Sequence, residues 1–527
     1  MSENRIPVLI AGGGSVGLGA ALFLADRGVE TLVAEAQDGP SAHPRATGIG
    51  PRTVEILRGL GLQDALDAVS VDMVSAGLGK VSVRTLAEAD FAAMPIAPAM
   101  ARARGSVDVT PARTRGTCPQ DRFDSVVLPA ARERGAIVRY STRLTSFTQD
   151  DTGVRAVLDT GEVVRADYLI GADGVRSEVR SALGIETTGP GALGAQMMSI
   201  LFRADLTRYL DGRRFVTCNI ENPGVTGMLV TIDGAKDWVL HIECGDALDE
   251  FTEARCLELI CAAVGDDLHD VEVVSRLPWR PRGLVADRFH QGRVFLIGDA
   301  AHAVPPLGAF GLNTGVADAD NLAWKIAAVH HGHAAAGLLE TYTAERRPVA
   351  LTTLDQAMRR LADPRLHWGS GPEAETARAA AGVMNAPVVH LGYRYDSAAV
   401  IDPNPELPSF EDVSLDLDGT PGSRLPHCWL QHEGRQVSIL DLIGPGCTLL
   451  TADEEWERAG RLVAEQSGYL TVVRIRVADS AWTGSVGIGA DGAVLVRPDR
   501  FVAWRVPGLP GDPAGELRDA LGRILAH

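Results

Sequence analysis

The chain has 527 residues, enough for about three domains of ordinary size, and its 46% hydrophobic and 5% aromatic content is that of a globular protein with ample core material. A formal net charge of −18 argues against nucleic acid or an anionic membrane as the main partner. No apolar run approaches the roughly 20 residues of a membrane span, no signal-peptide pattern opens the chain, and the cysteines (118, 218, 244, 256, 261, 428, 447) form no C-x-x-C, which predicts reduced thiols in a cytoplasm.

Residues 6–35 predict an apolar strand, a Gly12-x-Gly14-x-x-Gly17 turn, a helix, and a second strand ending in Glu35. Gly12 permits a sharp turn, Gly14 lets a pyrophosphate approach the backbone, and Gly17 lets the helix pack close to the strand. The helix N-terminus, with Ser15 and Val16, then receives the diphosphate, while Glu35, next to Ala36, accepts ribose hydroxyls. The order strand, turn, helix, acid predicts a bound dinucleotide. The same glycines spell a G-x-S-x-G nucleophile elbow around Ser15, but that elbow belongs deep in a hydrolase sheet, and Ser15 follows the first strand.

Residues 154–171 predict a small meander leading into Asp173 and Gly174. From 185 to 280 the runs 197–202, 226–232 and 238–243 suggest an antiparallel sheet. A buried strand over 291–299 ends in Asp299, and helices are expected near 312–331 and 335–362, broken at Gly332. Residues 401–424, rich in acids and prolines, read as a linker or surface arm. A separate small α/β domain follows from 425. Within it Gly487, Gly489 and Gly492 match the glycine pattern a second time, but Asp491-Gly492 between apolar runs reads as a hairpin turn and no phosphate site is assigned. His330, His331 and His333 end a helix, where imidazolium complements the dipole; no metal is assigned.

The N-terminal fingerprint, the Gly171-Ala-Asp173-Gly174 stretch continuing to Ser177 and Arg180, and Gly298-Asp299 continuing through Pro305-Pro306-Leu-Gly308-Ala-Phe-Gly311-Leu-Asn313 together resemble the three signatures of class A flavoprotein monooxygenases, the p-hydroxybenzoate hydroxylase-like family. Residues 46–58, 391–397, 421–427 and 494–505 are similar to the aromatic polyketide hydroxylases within it. The resemblance implies an α/β architecture: a Rossmann-like FAD-binding domain (1–184 and 281–400), an inserted antiparallel-sheet substrate domain (185–280), a linker (401–424) and a thioredoxin-like domain (425–527). It implies noncovalent FAD, NADPH or NADH as co-substrate, and hydroxylation of a polycyclic phenol or quinone by way of a flavin C4a-hydroperoxide. Baeyer–Villiger insertion on the same fold and a non-catalytic flavin-binding partner protein are the alternatives. Flavin halogenation is disfavoured because W-x-W-x-I-P is absent.

Within that reading Asp299 accepts from a ribityl hydroxyl, or caps a following helix, or both. Pro306, Gly308, Gly311, Leu312 and Asn313 bring helix N–H groups to the flavin pyrimidine edge, where the positive helix end favours the anionic reduced flavin. The family usually has a second glycine where this chain has Ala309; if that position needs positive φ, alanine costs about 1 kcal/mol or more. The resemblance also places Arg45 beside the diphosphate and the moving flavin, Gln120 and Leu144 on FAD, and Asp173 near both cofactors unless it caps the next helix. Met197, Cys218, Asn219, Met228, Trp238 and His241 are candidates for the substrate pocket, about half of them facing inward by strand alternation. The single nucleotide-binding unit is taken by FAD, so the nicotinamide cofactor binds transiently without a domain of its own.

Overall fold

The first strand, Asn4–Ala11, runs through the centre of an eight-stranded sheet, parallel to Thr31–Ala34 on one side and to Val163–Gly171 on the other. In this computed structural model the described residues are 4–73, 77–96, 109–112, 116–363, 365–368, 372–475 and 481–527. Ile137–Arg139 extends the sheet beyond Thr31–Ala34, and Val294–Leu296 with His290–Gln291 extends it beyond Val163–Gly171. Val8, Leu9, Ile10, Leu32 and Val33 are buried, because helices cover both faces; this is why these strands read as unbroken apolar runs. The meander Leu144–Asp150, Gly153–Leu158, Val163–Gly171 leads to Asp173 as expected. The helices Ser15–Asp26, Gln120–Glu133 and Phe310–His330 pack together at the carboxyl ends of the strands or beside them. No helix among the described residues is long and apolar enough to cross a membrane.

The middle sheet has six strands, in the order Glu272–Trp279, Met197–Arg203, Asp237–Glu243, Val225–Thr231, Thr217–Asn222, Lys80–Val83. The last of these comes from far outside 185–280 and pairs in parallel with Thr217–Asn222. The helix Glu253–Val264 backs one face, where Trp238, Leu240, Ile242 and Cys218 form a core with Leu259 and Ile260.

The tail is a four-stranded sheet. Leu470–Arg474 and Cys447–Thr451 run parallel around the helix Glu454–Ser467, then Ala493–Val496 and Val502–Val506 add antiparallel, with Pro513–Ile524 alongside. This is the thioredoxin-like arrangement. The hairpin lies at 497–501, where Arg500 takes φ of +66°, and not at Asp491-Gly492, which follows the short helix Ala481–Ser485. Residues 401–424 are no free arm: Asp416, Ser423 and Arg424 are buried, and Gly422 donates to the Val502 carbonyl while accepting from the Tyr395 N–H.

A buried charge cluster joins the tail to the unit built on the eight-stranded sheet. Arg497 bridges both oxygens of Glu345 (2.5 and 2.8 Å) and Asp499 (2.6 Å), and Glu345 also accepts from Lys325 of the long helix at 2.7 Å. Four side chains at 0–1% exposure neutralise one another, with Asn321 bonded to both carboxylates. Buried charge is tolerated only when paired and hydrogen-bonded in this way.

Candidate active site

At the glycine-rich turn the backbone comes into close contact with its neighbours. A Cβ on Gly12, whose φ is +108°, would sit 2.3 Å from the Ala172 carbonyl oxygen, and one on Gly17 would sit 2.0 Å from that of Gly12. A Cβ on Gly14 would meet nothing within 4 Å: this side of the turn is open. Gly14 is also the N-cap of Ser15–Asp26 and no side chain caps that helix, so its first N–H groups face the opening. The buried Ser15 hydroxyl lies against the Asp124 carboxyl, which burial pushes up to about 6 despite the hydrogen bond from that hydroxyl. Val16 fills the space between Gly298 and Gly315.

Glu35 does more than stand at the strand end. Its Oε2 accepts the Gly13 N–H at 2.6 Å and its Oε1 accepts the Gln37 N–H at 2.7 Å, so it braces the turn. Ala36 is exposed beside it. Thr142 donates its N–H to the Glu35 carbonyl, which brings near Leu144, the first residue of the strand Leu144–Asp150.

Asp299 follows Val294–Leu296 on a single 3-10 turn, Gly298–Ala300. The long helix begins only at Phe310, so Asp299 does not cap it. Its side chain is open to the cleft, yet the surrounding walls hold its carboxyl above the usual range, with His302 and Arg45 pulling the other way. Arg45 is exposed, and its guanidinium forms no ion pair among the described residues. The Gln120 N–H donates to the Ala46 carbonyl, tying that helix to the Arg45 loop. Asp173 caps Glu178–Ala182 through the Val179 N–H at 3.0 Å together with Ser177, while its other carboxylate oxygen is buried and unpartnered among the described residues.

The loop 304–309 ends on Ala309 at φ +54°, ψ +35°, so the position that usually holds glycine does require left-handed backbone. No side chain caps the helix that follows, and the N–H groups of Gly311 and Leu312 stay open next to the exposed Pro306. The Asn313 side chain is consumed internally: it accepts from the Gly50 N–H and Thr53 hydroxyl, each at 2.7 Å, and donates to the Gly48 and Ala309 carbonyls. Only its backbone is available to a ligand. His390 packs on Phe310 at 5.2 Å and hydrogen-bonds the Gly308 backbone; burial and Arg360 lower it to about 4.

Strand register sorts the middle-sheet candidates. Asn219, Met228, His241 and Ser199 stand opposite one another in a single row, and Met197 shares their face. That face looks toward the FAD-binding unit, because Ser199 and Ser275 both bond His43 of the Arg45 loop. Trp238 is on the other face: it is 1% exposed, packed against Phe215, with its indole N–H on the Ala204 carbonyl. It and Cys218 belong to the helix-backed core and line no pocket. The sequence reading missed Trp279, which meets His241 edge-on, and His43 itself, quoted only as a neighbour of Arg45.

Two uncapped helix ends, an open glycine face and an unpartnered oxygen on Asp173 fit an extended dinucleotide. A profile described as the FAD binding domain matches residues 5–357, and one described as the C-terminal part of aromatic-ring hydroxylases matches 418–527. The chain belongs to the FAD-dependent aromatic-ring hydroxylases. It is 39% identical to the tetracenomycin A2 monooxygenase-dioxygenase of Streptomyces glaucescens, over 100% of this chain and 98% of the relative. It is 35% identical to the 4-methyl-5-nitrocatechol 5-monooxygenase of a Burkholderia species, again over 100% and 98%. The crystal structure of aklavinone-11 hydroxylase with FAD and aklavinone superposes with a TM-score of 0.87, 34% identity and complete coverage of both chains. This hydroxylase is therefore a monooxygenase that uses FAD and NAD(P)H. Bound FAD supplies the redox and oxygen chemistry; the protein contributes position, dryness and charge.

Proposed function

We propose that this hydroxylase oxygenates a planar, multi-ring phenol or quinone of polyketide type, seated between the 304–311 loop and the inner face of the middle sheet, in a cytoplasm. In this reading Gly12, Gly14, Ser15, Val16 and Gly17 cradle the diphosphate, Glu35 and Ala36 meet the ribose, and Leu144 lies against the adenine. Gln120, Asp173 and Asp299 hold the ribityl side, Arg45 accompanies the moving flavin, and the loop from Pro306 and Gly308 to Asn313 presents N–H groups to the pyrimidine edge.

The observation that carries the substrate class is the inner face itself. Met197, Met228 and Trp279 offer flat apolar contact beside the polar but uncharged Asn219, Ser199 and His241 of the same face. The middle-sheet arginines are occupied elsewhere: Arg203 pairs with Asp237 and Glu272, while Arg213 and Arg214 bond the carbonyls of Ala92 and Asp72. A small benzoate would find no counter-ion among the described residues of this face. A ring system of several fused rings buries several times the area of a monocycle, at about 25 cal/mol per Å2. Relatives acting on tetracenomycin and aklavinone support the class; the catechol relative marks its rival. Product formation and NADPH coupling with an anthracyclinone-like phenol, compared with p-hydroxybenzoate, is the test. Coupled turnover of the monocycle alone would overturn the substrate class and leave the flavin chemistry standing.

A further inference from the structure

Between the tail and the unit built on the eight-stranded sheet lies a polar cavity of about 380 Å3, whose walls include Arg58, Gly59, Gln63, Asp64, Asp441 and Arg500. It sits at the far end of the helix Pro51–Gly59 from Gly50, whose N–H meets Asn313 beside the 304–309 loop, and such a helix spans about 13 Å. The cavity is therefore separate from the cleft described above.

Arg500 is 9% exposed and holds its backbone at φ +66°, a left-handed conformation costly to any residue but glycine. Its guanidinium lies on the Gly59 backbone, so close that a Cβ there would fall 1.8 Å from Nη2. Its Nε donates to the Leu440 carbonyl at 3.4 Å, and it forms no ion pair among the described residues. Arg58, by contrast, is matched: it holds both oxygens of Asp441, at 3.0 and 2.7 Å.

The charge behind Arg500 is unbalanced. Asp320 is shared by Arg27 and Arg52, and Glu55 by Arg52 and Arg424, at 3.3–3.4 Å. With Arg500 added, four guanidinium groups meet two carboxylates, all but Arg27 at 9% exposure or less. Asp499 lends this group only its backbone carbonyl, to Arg52, because its carboxylate is held by Arg497. The C-terminal end of Pro51–Gly59 supplies about half a negative charge, well short of the two left unmatched. Burial, with Arg52 and Arg27 nearby, depresses Arg500 below the ordinary arginine range against the pull of Asp320 and Glu55. A buried positive excess of this kind is stable when an anion completes it.

We propose that the cavity is an anion site, in which the Arg500 guanidinium takes a phosphate or carboxylate group of a small polar metabolite and thereby fastens the tail to the sheet unit. A planar fork matches both kinds of oxyanion, and the volume lies in the range of small-ligand sites, about 300–1,000 Å3. Asp64, exposed at the rim without an ion pair among the described residues, repels the anion.

The test titrates inorganic phosphate, and in parallel succinate, into the FAD-loaded enzyme by calorimetry at constant ionic strength set with chloride. At least one of them should bind at about one equivalent, and which one names the source of the oxyanion. Arg500→Gly removes the guanidinium and relieves the left-handed backbone, so it should fold and hold FAD yet bind the anion about tenfold or more weakly. Asp64→Asn, at an exposed position, should bind it about twofold or more tightly. Saturating anion should raise the thermal midpoint of the wild type and leave that of Arg500→Gly unmoved. Failure of both anions to bind the wild type overturns the proposal, as does wild-type affinity in Arg500→Gly. If the glycine variant does not fold, Asp64→Asn decides, and unchanged affinity there overturns the proposal too.

Discussion

Glu35 and Gly13 are joined by a 2.6 Å hydrogen bond, so the strand-end acid holds the glycine-rich turn in shape besides the ribose contact proposed for it. Glu35→Ala removes both. Charge-assisted hydrogen bonds contribute about 1.5–3 kcal/mol, so FAD should bind roughly 10- to 100-fold more weakly in a titration of the apoprotein. Glu35→Gln, which still accepts from Gly13, should lose less. Unchanged affinity in the alanine variant would remove the ribose assignment.

Arg45 is expected to govern reduction more than retention of FAD, because its guanidinium is exposed and pairs with no described carboxylate while reaching Asp299 electrostatically. Arg45→Ala should keep its flavin through gel filtration and be reduced by saturating NADPH about tenfold or more slowly. Reduction at the wild-type rate would count against this.

Gly48 and Ala309 face each other at the flavin loop: a Cβ on Gly48 would fall 2.7 Å from the Ala309 Cβ. Gly48→Ala should destabilise by about 1–3 kcal/mol, as overpacking does. Ala309→Gly removes both the opposing methyl and the left-handed strain, so adding it to Gly48→Ala should restore most of the loss. Denaturant midpoints of the two single variants and the double variant would show it, and additive effects would refute it.

Arg497→Met leaves Glu345 and Asp499 buried with Lys325 as their remaining charged partner. Removing one member of such a cluster costs about 3–5 kcal/mol, and the flavin should be released at clearly lower temperature. Arg497→Lys should rescue poorly, because an ammonium cannot span both carboxylates as the guanidinium fork does. Full stability of the methionine variant would show that the cluster is dispensable.

Five histidines, His43, His241, His367, His390 and His427, are held at about 4 by burial, each below the ordinary 6.5. The unfolded chain therefore binds more protons than the folded one between those values. Stability should be complete above about pH 6.5 and decline as pH falls toward 4. Asp124 and Asp416, raised to about 6 by burial, work in the opposite sense and offset only part of this. Thermal midpoints measured across that range check the sign; a midpoint that rises on acidification from 6.5 would refute it.

The nucleotide-binding unit could be read from residues 6–35 because its constraints are local: glycines that admit no Cβ, an apolar run buried on both faces, and an acid at the strand end. Ala309 stood out before its backbone was seen because the resembled family usually has glycine there. The side of the sheet taken by Trp238 was not readable, since strand alternation gives a period but the phase comes from partner strands. Lys80–Val83 joined the middle sheet as an edge strand through a pairing with residues more than a hundred positions away. In 401–424 the acids and prolines that suggested a free arm instead shape turns against the tail, with Arg394 paired to Asp418. His43 escaped notice because a lone histidine carries no signal until both its serines are in place.

The cluster around Arg497 also sets a timetable for synthesis. Lys325 and Glu345 leave the ribosome well before the arginine and aspartate that complete their neutralisation. The N-terminal part of a chain generally folds first, at about 5–20 residues per second of translation. Until residues 497–499 emerge, Lys325 and Glu345 match each other in charge, but Glu345 lacks the guanidinium fork that holds both its oxygens in the finished protein. The buried cluster is thus completed only when nearly the whole polypeptide has been made.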